Sequence, residues 1–155
     1  MNAYDNIKEV YKIKGITSYE EIDSLLDKVG LLKENNKQVR TFSLGMKQRL
    51  MIACALVGNP DLLILDEPIN GLDPEGIIEI RKLVLNLNEK SNITILISSH
   101  YLDELSKIAT NYGFIDKGHI VEEISYEELN SKIREKTTVK IKDTDKLAEY
   151  LDDNN

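Results

Sequence analysis

One cysteine among 155 residues excludes a disulfide framework. Cys54 sits inside the apolar run Leu50 to Val57, so the sequence predicts a small buried hydrophobe there and fits a reducing cytoplasm. Long apolar runs are also missing. The longest, such as Leu62 to Leu65 and Ile93 to Ile97, are far too short to cross a bilayer. Met1 to Asp5 lacks the basic-then-apolar pattern of a signal peptide, so membrane association has to come through a partner. A basic stripe is absent as well: the net charge is -7 and lysines and arginines are interleaved with acids, which argues against nucleic acid as a main partner. No internal repeat or low-complexity tract occurs, although the tail Asp152 to Asn155 is polar enough to fray.

What remains is ordinary globular material, 41% hydrophobic and 30% charged, enough for one compact core. Ser18-Tyr19-Glu20-Glu21 has the spacing of a capping box, and Ile22, Leu25, Leu26 and Val29 then recur at helical spacing until Gly30. After a polar connector from Lys33 to Thr41, a second helix is expected over Leu44 to Val57, stopped by Gly58-Asn59-Pro60. From Asp61 the pattern changes to short apolar runs, Leu62 to Leu65 and Ile93 to Ile97. Such runs read as parallel strands covered on both faces. Between them Asp73 caps a helix with Pro74 at its first position and an Ile77, Ile80, Val84, Leu87 stripe, completing a βαβ unit.

Beyond His100 a helix carrying Leu102, Leu105 and Ile108 is expected. A hairpin follows, with strands Tyr112 to Ile115 and Ile120 to Ile124 around Asp116-Lys117-Gly118-His119. Ser125-Tyr126-Glu127-Glu128 is a second capping box, Thr138 to Ile141 alternates like a strand, and Lys146 to Leu151 suits a helical turn or two.

Three places carry chemistry. The strand from Leu62 delivers Asp66 and Glu67 at its C-terminal end, the edge at which open α/β sheets bind ligands. A carboxylate in the first position can hold Mg²⁺, and one in the second can orient and deprotonate an attacking water. Taken alone, Asp66-Glu67-Pro68 is equally a solvated strand end before a turn. The next strand ends in Ser98-Ser99-His100, so Asp, Glu and His face one crevice. His100 can donate to a phosphate oxygen, or simply cap the helix that starts at Tyr101. Upstream, Phe42-Ser43-Leu44-Gly45-Met46-Lys47-Gln48 opens a helix whose N–H groups could approach an anion, with an ordinary serine cap as the alternative.

In order and spacing these pieces resemble the nucleotide-binding domain of ABC transporters, over most of the chain. The resemblance implies an α/β, P-loop NTPase-like ABC ATPase domain, C-terminal part only, in which part of a helical subdomain joins a mainly parallel β core. It makes 1–57 the helical portion ending in the signature helix, 58–124 the catalytic core half, and 125–155 the start of an accessory C-terminal region. Ser43 to Gln48 stands at the signature motif, Leu62 to Glu67 at Walker B, Gly71 to Asp73 at the D-loop and His100 at the H-loop. By this carry-over Glu67 and His100 are catalytic, Asp66 binds the metal, and Ser43, Gly45, Lys47, Gln48 and Asp73 meet nucleotide. Leu44 and Met46 replace the usual Gly and Gln of the signature, which removes side-chain contacts from its last position. The Phe-Ser-Leu-Gly-Met-Lys-Gln-Arg-Leu form is similar to bacterial exporters of the bacitracin and lantibiotic resistance type.

The implied ligands are ATP and Mg²⁺. The implied partners are a second cassette in a homodimer and a separate transmembrane permease subunit, which would hold the protein at the cytoplasmic face of the membrane. The helical segment from Tyr4 to Leu32 would supply part of the groove for the permease. No Gly-x-x-x-x-Gly-Lys-Ser/Thr occurs, and no glycine precedes a lysine, so the cradle for the β- and γ-phosphates is missing. The family carries that loop upstream; the expectation is a truncated cassette, cut at both ends and inactive by itself. Two rival readings are a soluble ABC-family ATPase of the translation or DNA-repair kind, and a non-catalytic module that binds a membrane subunit or a full cassette.

Overall fold

The computed structural model describes residues 1–134. They fall into two compact units, Met1–Ile108 and a second that starts at Ala109. The expected strand at Thr138 to Ile141 and the helical turn at Lys146 to Leu151 lie outside the described residues.

The first unit opens with α1 (Ala3–Ile13), capped by Asn2, whose side chain accepts from the Asp5 N–H at 2.8 Å. Ala3, Ile7 and Tyr11 form its buried stripe. Helix α2 (Ile22–Lys28) adds Ile22, Leu25 and Leu26 to the same core. The expected capping box at Ser18 does not form. Glu21 occupies the cap position without a side-chain bond, and Tyr19 of the preceding segment packs against α1. The Tyr19 ring packs edge-on to Tyr11 with centroids 6.0 Å apart, and the Lys8 ammonium sits 5.1 Å from the Tyr19 centroid. Burial pushes the Tyr11 hydroxyl upward in pKa, and the nearby Glu21 carboxylate adds to the shift.

Helix α3 (Leu44–Ala55) is capped by Ser43 and buries Leu50, Ile52 and Ala53. It stops short of Val57, and the chain turns through Gly58 and Asn59, both at positive φ. Cys54 is half-buried against the core, and desolvation raises its thiol pKa. Arg49 anchors this helix to its surroundings. Its guanidinium donates to the carbonyls of Val29 and Gly30 at 3.2 and 3.3 Å and pairs with Glu79 at 3.4 Å.

The βαβ unit is built as its sequence predicts: β1 (Leu62–Asp66), α4 (Pro74–Ser91) and β2 (Thr94–Ser98), with the two strands parallel and Asp66 opposite Ser98. Asp73 caps α4 by accepting from Gly76 N–H at 3.2 Å, and Asn92 closes it in the left-handed conformation. Ile80, Leu83, Val84 and Leu87 face the core.

One expectation fails here. The strands are not covered on both faces: Leu63 and Leu65 point inward, whereas Leu62, Ile64 and Leu96 stay 52%, 65% and 60% exposed. Helix α4 covers one side, and no described element covers the other. A second expectation is shortened, since the helix after His100, α5, spans only Leu102–Leu105. Ile108 lies past its end but still packs on the core. Arg81 of α4 and Lys107 hold Glu104 of α5 at 2.9 and 2.5 Å, and the Lys107 bond first, then Arg81, keeps that carboxyl below its ordinary pKa. Among the described residues no helix is long and apolar enough to cross a membrane.

The second unit contains the expected hairpin, β3 (Asn111–Asp116) and β4 (His119–Ser125), antiparallel and joined through Lys117 and Gly118 at positive φ. Here the second capping box does form. Ser125 N–H donates to Glu128 Oε2 at 3.0 Å and Glu128 N–H to Ser125 Oγ at 3.2 Å, opening α6 (Tyr126–Arg134).

Candidate functional site

Parallel pairing in register brings the C-terminal ends of β1 and β2 side by side, so Asp66, Glu67 and the Ser98-Ser99-His100 segment share one edge of the first unit. His100 Nδ1 lies 2.9 and 3.0 Å from the two Glu67 carboxylate oxygens. The imidazole therefore faces Glu67, and the cap position of α5 is held by Tyr101 without a side-chain bond, which removes helix capping as the explanation for His100. Ser99 Oγ accepts from Tyr101 N–H at 3.0 Å, and the His100 and Tyr101 rings lie against each other with centroids 4.1 Å apart.

Glu67 itself adopts φ +47, a left-handed conformation that is uncommon for a residue with a side chain. Directly after it, Pro68 and Ile69 are buried and turn the chain toward Gly71. The carboxylate is thereby held at a rigid corner between a strand and a buried turn, half-exposed, where it can accept a proton from a bound molecule. Asp66 is exposed, with Oδ1 engaged by the Ser98 hydroxyl at 2.5 Å.

A second group of predicted residues gathers at another place in the first unit. Two helix N-termini, those of α3 and α4, open on a cleft of about 440 Å³ lined by Ser43, Leu44, Gly45, Leu72, Asp73 and Gly76 among others. Ser43 Oγ accepts from Met46 N–H at 3.2 Å, so its cap is real and leaves other first-turn N–H groups open to an anion. Close approach depends on glycine. A Cβ on Gly76 would stand 2.8 Å from Asp73 Oδ1, and one on Gly71, at φ +73, would stand 3.3 Å from Leu44 Cδ2. Of the predicted nucleotide contacts, Ser43, Gly45 and Asp73 line the cleft; Lys47 is exposed and Gln48 half-buried farther along α3, and neither lines it. Met46, which replaces the usual polar residue of this motif, packs against the core.

Ser98 was not among the candidates read from the motifs, yet it touches both carboxylate residues. Only the register of the parallel pair, which sets Ser98 opposite Asp66, reveals it. The α4 glycine, Gly76, was likewise hidden, because its role is one of distance to Asp73.

Among the described residues no group of three His, Cys, Asp or Glu could enclose a metal. Mg²⁺ needs no such cage: it keeps several waters and takes one or two carboxylates together with substrate phosphates. An exposed strand-end carboxylate with one oxygen already oriented, as at Asp66, suits that mode of binding.

The chain is similar to known ATP-binding cassettes in sequence and fold. The family model described as ABC transporter matches residues 1–70. The bacitracin transport ATP-binding protein BcrA of Enterococcus faecalis is 43% identical over 98% of this chain and 49% of its own length. The lantibiotic transport ATP-binding protein SrtF of Streptococcus pyogenes is 48% identical over 82% and 55%. This chain thus spans about half the length of the curated relatives it matches. Among solved structures, cbiO1 of Clostridium perfringens, part of the ABC transporter complex cbiONQ, is 29% identical with a TM-score of 0.74 over 85% of this chain and 54% of that one. The ADP conformation of the ATP-binding cassette MJ1267 is 25% identical, with a TM-score of 0.75 over 84% and 58%.

Proposed function

Because the chain belongs to the ABC transporter family of ATP-binding proteins and has the fold of its cassettes, we propose that it is part of a subunit that hydrolyses ATP to drive transport, with export of a peptide antibiotic or a similar compound as the work done. The observation that carries this reading is the pairing of Glu67 with His100 at the shared C-terminal edge of two parallel strands.

Glu67 orients the attacking water and takes its proton, and His100, bonded to Glu67 through Nδ1, presents its ring to a phosphate oxygen. Asp66 would hold Mg²⁺, which when bound neutralises charge on the phosphate oxygens. Ser43 and Gly45 offer the first turn of α3 to the phosphates of a nucleotide carried by a second cassette, and Asp73 borders the same cleft. Lys47 and Gln48 lie farther along the same helix, outside the cleft lining, and would meet the nucleotide only from beyond it. In this reading 1–57 supplies the helical portion, 58–124 the catalytic half and 125–155 the beginning of an accessory region. The partners are a second copy of the cassette and a transmembrane permease, which keeps the assembly at the cytoplasmic face.

The phosphate-cradling loop is absent from these 155 residues. Since Asp66 and Glu67 are themselves anions that repel bare phosphate, we further propose that the chain alone does not turn over ATP. The export reading is tested in vesicles that carry the whole subunit with its permease. Bacitracin or a lantibiotic should stimulate phosphate release; a turnover indifferent to peptide antibiotics, and stimulated by some other class of compound, would contradict it.

A further inference from the structure

Ser98 ends β2 directly opposite Asp66, and its side chain reaches both acidic residues. The hydroxyl donates to Asp66 Oδ1 at 2.5 Å and accepts from Glu67 N–H at 3.0 Å, while the Ser98 carbonyl accepts from the same N–H at 3.2 Å. A serine has a single O–H hydrogen. Its use on Asp66 leaves only lone pairs for Glu67, so each bond fixes the direction of the other. Glu67 needs such a hold, since its φ of +47 costs energy at any residue other than glycine. From that backbone position the Glu67 carboxylate meets His100 Nδ1 at 2.9 Å. On the other side, the bond to Oδ1 fixes the rotation of the Asp66 carboxylate.

We propose that Ser98 is the positioning residue of this site, one hydroxyl setting the Asp66 carboxylate and the Glu67 backbone together. The proposal rests on the reading that these carboxylates serve ATP hydrolysis. It assigns Ser98 no contact with substrate; the residue acts through its two neighbours.

The test compares Ser98→Ala and Ser98→Thr with the native protein by two readouts. In amide spectra of the 155-residue chain, Ser98→Ala should move the Glu67 resonance and speed its hydrogen exchange, Ser98→Thr should restore both, and Leu63 to Leu65 and Ile95 to Ile97 should stay put. In the whole subunit Ser98→Ala should lower kcat about 10- to 100-fold, the loss expected for one charge-assisted bond, with KM for ATP unchanged and kcat recovered in Ser98→Thr. An unmoved Glu67 amide, an unaffected kcat, a failed rescue by threonine or a general loss of the strand amides would each overturn the proposal. Glu67→Gln run alongside separates the two claims. If it kept full turnover the hydrolytic reading would fall, and the Glu67 amide would still decide whether Ser98 holds that residue in place.

Discussion

Glu67→Gln lowers ATP turnover of the whole subunit by about 10²- to 10⁴-fold, the range over which a positioned general base acts, and does not weaken nucleotide binding. Glutamine keeps the size and planarity of the side chain, and its amide oxygen can still accept a bond from His100 Nδ1, which stands 2.9 Å from the carboxylate. What it loses is the ability to take a proton from water. A nearly isosteric change that removes only the ionisable group therefore separates proton transfer from the packing of Pro68 and Ile69 behind it, both buried. Phosphate release and equilibrium nucleotide binding, measured on the same preparation, check the two halves of the expectation. A variant with native turnover would remove Glu67 from the chemistry.

The second large effect is structural. Gly76→Val destabilises the chain by about 2–4 kcal/mol, combining the loss of a helix cap with overpacking of a closed site. Even the first added carbon would stand 2.8 Å from Asp73 Oδ1, so the cap that starts α4 has to break or the helix has to shift away from Leu72. Because Gly45 faces Gly76 across the cleft, the shift also disturbs the first turn of α3. Urea unfolding measures the loss as a lower midpoint at constant slope. Gly113→Ala is the comparison: a Cβ there meets nothing within 4 Å, and its effect should stay within about 0.5 kcal/mol. Equal losses from both substitutions would contradict the close-approach argument.

Much of the fold was legible in the sequence because its signals are local. Asp73-Pro74 starts α4, Gly58-Asn59 stops the chain after α3, and Lys117-Gly118 turns the hairpin, each through backbone preferences that need no distant partner. The same Ser-x-x-Glu pattern succeeded at Ser125 and failed at Ser18, and the difference is tertiary. Tyr19 meets the Tyr11 ring and the Lys8 ammonium on α1, contacts that a local pattern does not encode, whereas Ser125 and Glu128 bond to each other. The exposed face of Leu62, Ile64 and Leu96 was misread for a related reason, since an apolar run states what a strand prefers and not what is there to cover it. At the site, Asp66, Glu67 and His100 were visible as residue types at strand ends. The bond that ties Ser98 to two of them depends on register, and the glycine packing depends on distances between α3 and α4.

The most direct test of the central claim, that these residues provide the hydrolytic edge of a cassette while the grip on ATP lies elsewhere, is calorimetric titration of the 155-residue chain with Mg-ATP, with turnover assayed in the same samples. The account predicts no measurable binding and no phosphate release. Tight binding with turnover that disappears in Glu67→Gln would contradict it, and would mean that the 155 residues hold a complete nucleotide site of their own.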